Sequence, residues 1–142
     1  MAQEYLRHKV KRAAAESVQA ESAGVFAIQG MAPTLETVRV LQEAGIICSD
    51  HQARLLTAEM IREADLIFTM EAYHTEEVLR REPSASDKVF LLKPYNCAPG
   101  EAPPMPNIAD PIGKPMEVYE VCFKQICEAV DRIAKSLGVL SQ

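Results

Sequence analysis

The segment Asp65-Leu-Ile-Phe-Thr-Met70 carries a continuous apolar run of strand length. A second run of the same kind lies at Lys88-Val-Phe-Leu-Leu92. Such runs are typical of strands that are buried on both faces in a parallel sheet. Between them a helical pattern covers roughly Ala72 to Arg81 and stops before Pro83. The order strand, helix, strand predicts an α/β fold, with helices on both faces of a parallel sheet.

The rest of the chain is predicted to be mainly helical. Apolar side chains recur three and four positions apart, and Pro33 and Thr57 are placed as a first helical residue and an N-cap. A weaker strand pattern covers Val18 to Ala23. Because the length of the chain is typical of one domain, residues 1–142 are predicted to form a single domain. The predicted helices run from Ala2 to Ala14, Pro33 to Gly45, Ala58 to Glu63 and Pro115 to Leu137.

The composition excludes several classes of protein. There are 15 basic and 20 acidic residues, and a net charge of -5 argues against nucleic acid as a main partner. No apolar run is long enough to cross a membrane, and charged residues interrupt the amino-terminal segment, which predicts no signal peptide and a cytoplasmic location. The four cysteines form no Cys-x-x-Cys pair, so we expect no structural zinc and no cofactor. They are Cys48, Cys97, Cys122 and Cys127.

A proline-rich loop follows the second strand and holds the first candidate for chemistry. Seven of the nine prolines of the chain lie between residues 94 and 115. Within this loop, Asn107-Ile-Ala-Asp110-Pro111-Ile-Gly113 is on composition alone a turn. It is also a place where a carboxylic acid on a stiff loop can be presented over a site at the sheet edge. A general acid must bring its proton within hydrogen-bond reach of the leaving oxygen.

The segment Cys48-Ser-Asp-His-Gln-Ala-Arg54 has the cysteine, five residues, arginine spacing of cysteine-dependent phosphatases. That chemistry needs backbone N–H groups directed at the phosphate, which usually requires glycine, and this segment has none. Asp50 would also repel a phosphate dianion. We therefore interpret the segment as a connection between two helices.

Several segments, taken in order, resemble the low-molecular-weight protein tyrosine phosphatase family. Each match is weak alone, but the order and spacing agree over essentially the whole chain. The matching segments are Ser22-Ala-Gly24, Gly45-Ile46, His51-Gln-Ala-Arg54, Ala64 to Met70, Lys88 to Leu92, the Asp110 loop and Glu117-Val-Tyr119.

The resemblance implies a three-layer parallel sheet and a two-step hydrolysis of phosphate monoesters. A thiolate attacks phosphorus, and an aspartate protonates the leaving oxygen and then deprotonates water. Carried over to this sequence, Asp110 is the general acid and base. Ser22 and His51 match positions that hydrogen-bond the phosphate-binding loop and hold its shape. The implied substrate is a phosphorylated protein or a small phosphate ester.

In the family, a strand and a Cys-x5-Arg-Ser-Pro loop come immediately before the helix that here begins at Met1-Ala2. The resemblance therefore predicts that this chain lacks the inner first strand and the nucleophile loop, and that it is inactive as written. Loss of an inner strand would expose neighbouring strand edges and favour self-association. Two alternatives stay open at this point: a non-catalytic binding relative, and a phosphoarginine phosphatase.

Overall fold

The computed structural model describes residues 1–48 and 50–140. Within these residues there are five α-helices and two strands, with a short 3-10 helix at Pro83–Ala85; three helices come first, and the fourth lies between the two strands. The helices are α1 (Ala2–Arg12), α2 (Leu35–Glu43), α3 (Ala58–Glu63), α4 (Ala72–Arg81) and α5 (Met116–Ser136), and the strands are β1 (Ile67–Thr69) and β2 (Val89–Leu91).

Strands β1 and β2 are parallel, with Ile67 opposite Val89 and Thr69 opposite Leu91. Side chains of successive residues point to opposite faces of the sheet. Ile67 and Val89 therefore pack on one face, in a cluster with Ile61 of α3 and Val78 of α4. Phe68 packs on the other face, against the cluster formed by α5. The α/β layering predicted from the two apolar runs is confirmed for this part of the chain.

The main core lies along α5. Its buried residues include Cys122, Ile126 and Ile133, which recur at helical spacing, and α1 contributes Tyr5 and Leu6 from the opposite side. The loop after β2 contributes Leu92 and Ile108 to the same cluster. Packing against α5 therefore fixes both the first helix and the proline-rich loop.

Most helix predictions are confirmed. Helix α4 has the predicted bounds, and Thr57 caps α3 by accepting a hydrogen bond from the N–H of Met60 at 3.2 Å. Pro33 does not begin the second helix. Thr34 is the N-cap instead, accepting a hydrogen bond from the N–H of Thr37, and this leaves Pro33 outside the helix. A local hydroxyl cap defines the helix start more closely than proline does.

Two strand predictions need correction. Residues Val18 to Ala23 form no strand. The nearest strand-like pairing is a single bridge between Gly24, the next residue, and Leu55. The prediction that the second run is buried on both faces is wrong for Phe90, which is 36% exposed. The cause is the small sheet: within the described residues β2 has β1 as its one partner, so its outer side is an edge. The expected absence of an inner strand is not confirmed by any of these contacts.

Length and apolar character decide whether a helix can cross a membrane. Over residues 1–48 and 50–140, no helix combines the length and the apolar character needed to cross a bilayer.

Candidate active site

The proline-rich loop is fixed at its base. Ile108 is buried in the main core, and its N–H donates to the carbonyl of Met70 at 2.8 Å, just after β1. The side-chain oxygen of Asn107 accepts a hydrogen bond from the N–H of Ala72 at 3.0 Å. The thiol of Cys122 on α5 lies 3.9 Å from the carbonyl of Ala109. The loop therefore joins the end of β1, the start of α4 and the middle of α5.

Asp110 is exposed between two buried neighbours, Ile108 and Pro111. One of its carboxylate oxygens accepts a hydrogen bond from the N–H of Ile112 at 2.9 Å. This short-range bond closes an Asx turn, which restricts the carboxylate to one side of the loop. Gly113 has a φ of +74°, a conformation that favours glycine and completes the turn. The arrangement presents a carboxyl group to solvent on a backbone that is anchored on both sides.

Ser22 and His51 meet at the first turn of α1. The Ser22 hydroxyl donates to the side-chain oxygen of Gln3, and the Nδ1 atom of His51 lies 3.7 Å from a carboxylate oxygen of Glu4. Gln3 and Glu4 are themselves hydrogen-bonded at 2.9 Å. Burial lowers the pKa of His51, against the opposing effect of Glu4. Two residues that lie 29 positions apart in sequence thus share one short polar network.

A polar cleft of about 470 Å³ opens beside this network. Asp110 is not among its lining residues. Met1 and Ala2, however, pack against the cluster that contains Ile108 and Cys122 at the base of the Asp110 loop. The first turn of α1 therefore contacts the cleft and the base of the Asp110 loop. The cleft is lined by Gln3, Glu4, Arg7, Gln29, Ile47, Cys48, Asp50, His51, Gln52 and Arg54.

The described surroundings of Cys48 and Arg54 differ from those that a phosphate site needs. Burial, with the Glu4 carboxylate nearby, raises the pKa of the Cys48 thiol, whereas a nucleophilic cysteine needs a lowered pKa. The guanidinium of Arg54, at the edge of the cleft, donates to the carbonyl of Ser22 and pairs with Glu21 at 3.1 Å, so its donors hold neighbouring chain segments. Residues 44–57 connect α2 and α3, as the sequence indicates.

The sequence analysis named no candidate functional residue at the start of α4. Glu71 and His74 form a reciprocal cap, in which His74 Nδ1 accepts from the N–H of Glu71 at 3.2 Å. The ring of Tyr73 lies on the His74 ring, with centroids 4.1 Å apart. The signal available in the sequence was glutamate with histidine three residues later at a helix start, a variant of the capping box.

No metal site is evident in the described part of the chain, because no three histidine, cysteine or acidic side chains converge there.

Comparison with known proteins identifies the family of this chain. The model of the family described as low molecular weight phosphotyrosine protein phosphatase matches residues 1–140. A protein-arginine-phosphatase of Geobacillus stearothermophilus is 34% identical over 120 residues, which is 84% of this chain and 77% of the relative. A probable low molecular weight protein-tyrosine-phosphatase, EpsP, of Ralstonia nicotianae is 32% identical over 131 residues, 92% of this chain and 81% of the relative.

Solved structures give the same result. The YwlE arginine phosphatase from Geobacillus stearothermophilus superposes with a TM-score of 0.83 at 33% identity, over 96% of this chain and 82% of that chain. The low molecular weight protein tyrosine phosphatase from T. tengcongensis also has a TM-score of 0.83, at 32% identity, over 95% and 88% of the two chains. These matches do not confirm the expected loss of a strand and a Cys-x5-Arg loop, nor the expected inactivity. This chain belongs to the low molecular weight phosphotyrosine protein phosphatase family.

Proposed function

We propose that this protein hydrolyses phosphate groups from phosphorylated proteins, with Asp110 as the general acid and base. In the first step a cysteine thiolate forms a bond to phosphorus, the bond to the leaving group breaks, and Asp110 gives its proton to the leaving atom. In the second step the Asp110 carboxylate takes a proton from water, which attacks the phosphocysteine. Inorganic phosphate and the free thiolate are released.

The observation that carries this proposal is the position of the first turn of α1. The N-terminus of a helix favours a phosphate group, because its free N–H groups and its dipole attract negative charge. Here that turn contacts the Ser22 and His51 network through Gln3 and Glu4, and its first residues pack at the base of the Asp110 loop. A phosphate placed at this helix end would therefore have an exposed carboxyl group on a neighbouring loop.

Ser22 and His51 are proposed to hold the phosphate-binding loop by hydrogen bonds. Both side chains already contact the first turn of α1, the element that follows such a loop in the family pattern. The lowered pKa of His51 keeps its ring neutral near pH 7, so one ring nitrogen accepts and the other donates. Neither residue needs to touch the substrate for this role.

The nucleophile is not assigned to Cys48 or Cys122. Both residues are buried, and burial raises the pKa values of both thiols. Burial raises the pKa of Cys127 further, to about 11. Each of these environments disfavours a thiolate at neutral pH.

The substrate class has two candidates, and each is favoured by a specific observation. Phosphotyrosine is favoured by the family match, and phosphoarginine by the 34% identical relative that is an arginine phosphatase. Residues after Asp110 add little to the choice, because Ile112 is aliphatic and Gly113 has no side chain.

The test is Asp110→Asn in protein expressed from the complete natural reading frame. Asparagine has the shape of aspartate but carries no proton to give. We expect hydrolysis of a phosphotyrosine peptide to fall about 10²- to 10⁴-fold, with a smaller loss for p-nitrophenyl phosphate, whose leaving group needs little protonation. Asp87→Asn, on an exposed turn before β2, is the matched control and should retain full activity. Equal losses for both substrates would remove Asp110 from this role.

A second arm tests Cys48. Hydrolysis that disappears with Cys48→Ser would contradict the interpretation of Cys48 as a structural cysteine. Activity that survives this substitution would support that interpretation.

A further inference from the structure

We propose that Tyr73 forms one wall of the substrate site beside Asp110 and favours phosphate esters of aromatic alcohols over other phosphorylated groups. This inference rests on the proposed function, because it needs Asp110 to act on the leaving group. It adds a specificity-determining residue on helix α4, outside the loop that carries the acid.

The start of α4 is fixed to the Asp110 loop. The N–H of Ala72 donates to Asn107 at 3.0 Å, and the N–H of Ile108 donates to Met70, the residue between β1 and the α4 cap, at 2.8 Å. Tyr73 is the second residue of α4 and Asp110 lies three residues after Asn107. Two hydrogen bonds therefore tie the segment that carries Tyr73 to the segment that carries the acid.

The Tyr73 side chain is both exposed and oriented. It is 48% exposed, yet its ring lies on the His74 imidazole with centroids 4.1 Å apart and an angle of 45° between the planes. His74 is in turn fixed by the hydrogen bond that its Nδ1 atom accepts from Glu71. An aromatic side chain held in this way can present a face to a ligand with little loss of conformational freedom.

Electrostatics agree with this placement. Partial burial raises the pKa of Tyr73, and the carboxylates of Glu71 and Asp110 raise it further. The phenol is therefore uncharged at neutral pH. A neutral aromatic group beside the acid does not repel a phosphate dianion.

The Asp110 loop offers no aromatic ring of its own after the acid. Ile112 is 64% exposed and Gly113 follows it. Three other aromatic side chains, Phe68, Phe90 and Tyr95, pack with one another along the sheet. Tyr73 is therefore the exposed aromatic side chain on the part of α4 that is tied to the Asp110 loop.

The test compares Tyr73→Leu with the matched variant Tyr73→Phe in protein from the complete reading frame. Substrates are one peptide carrying phosphotyrosine and one carrying phosphoarginine. Loss of ring stacking predicts a rise of about two- to tenfold in KM for the phosphotyrosine peptide with Tyr73→Leu. The KM for the phosphoarginine peptide and kcat for both should stay within about twofold, and Tyr73→Phe should behave as the unsubstituted protein.

An unchanged ratio of the two KM values in Tyr73→Leu would overturn the proposal, and so would equal losses on both peptides. Absence of hydrolysis by the unsubstituted protein would contradict the proposed function instead. In that case the ring signals of Tyr73 are followed by NMR during titration with phenyl phosphate and with inorganic phosphate. A shift of the Tyr73 ring signals with phenyl phosphate but not with inorganic phosphate supports the proposed wall. No shift with phenyl phosphate overturns it.

Discussion

The Asp110 side of the molecule and the side that carries Ser22 and His51 are built differently. Asp110 lies on a loop between β2 and α5, with buried anchors in the main core. Ser22 and His51 lie on residues 13–34 and 44–57, called here the support loops. In the described part of the chain these loops pair through the bridge from Gly24 to Leu55 and through hydrogen bonds between Ala53 and residues 30 and 31. Apolar side chains of these loops are exposed, among them Phe26, Ile28 and Ile47.

The difference teaches that the two sides are held in different proportions by core packing and by hydrogen bonds. The Asp110 loop is anchored by Leu92 and Ile108 in the main core, whereas the support loops bury a smaller cluster with Ile46 and Cys48 and depend more on hydrogen bonds to α4. The guanidinium of Arg81 donates to the carbonyl of Leu56 at 2.6 Å and to that of Val25 at 2.8 Å, joining both support loops to α4. Substitutions should therefore have large global effects on one side and local effects on the other.

The largest effect is expected from Ile133→Ala. Ile133 is 1% exposed in the main core, and truncation leaves a cavity beside α5. We expect the free energy of unfolding to fall by about 2–5 kcal/mol. Ile28→Ala, at a site that is 69% exposed on a support loop, should change it by less than about 0.5 kcal/mol. Urea denaturation measures both, and equal losses would mean that the two sides share one core.

A smaller and more local effect is expected from Arg81→Met. The substitution keeps an apolar stem but removes both hydrogen bonds to the support loops, with an expected cost of about 1–3 kcal/mol. Amide hydrogen exchange should increase in residues 24–31 and 53–56 more than in α5. Arg80→Met is the control, because Arg80 also pairs with Glu77 but is largely exposed and reaches neither loop. Uniform loss of protection over the whole chain would contradict local anchoring.

The smallest effect is expected from pH. Burial lowers the pKa of His74 in the folded protein, although Glu71 and Asp110 oppose the shift. The neutral ring accepts the N–H of Glu71, and a protonated Nδ1 cannot. A lowered folded-state pKa contributes stability above the unfolded-state value of about 6.5. This contribution is lost as pH falls through the folded-state pKa.

Thermal unfolding at pH 7.5 and at pH 5.5 measures this effect. We expect a lower Tm at pH 5.5, and a smaller difference between the two pH values in His74→Gln. His51 on the support loops has a pKa lowered in the same direction, so His51→Gln should reduce the difference as well. A difference that neither substitution reduces would show that other groups cause the pH dependence.

Local sequence patterns determined much of this protein. The two apolar runs, the bounds of α4, the Thr57 cap and the stripe on α5 follow from propensity and periodicity, which act over a few residues. The Asp110 turn was visible for the same reason, because proline and glycine fix the backbone next to it. The family could also be identified, since its motifs keep their order along the chain.

Tertiary structure decided the rest. Residues Val18 to Ala23 form no strand because a strand needs a neighbouring backbone, and the pattern of one segment cannot supply it. The contacts of Ser22 with Gln3, of His51 with Glu4, and of Arg81 with two distant carbonyls join segments that lie far apart in the chain. The connection between the start of α4 and the Asp110 loop depends in the same way on hydrogen bonds to a loop that begins some 20 residues later. Sequence by itself determined most of the helices, the two strands and the Asp110 turn, whereas only tertiary packing decided which side chains surround that turn.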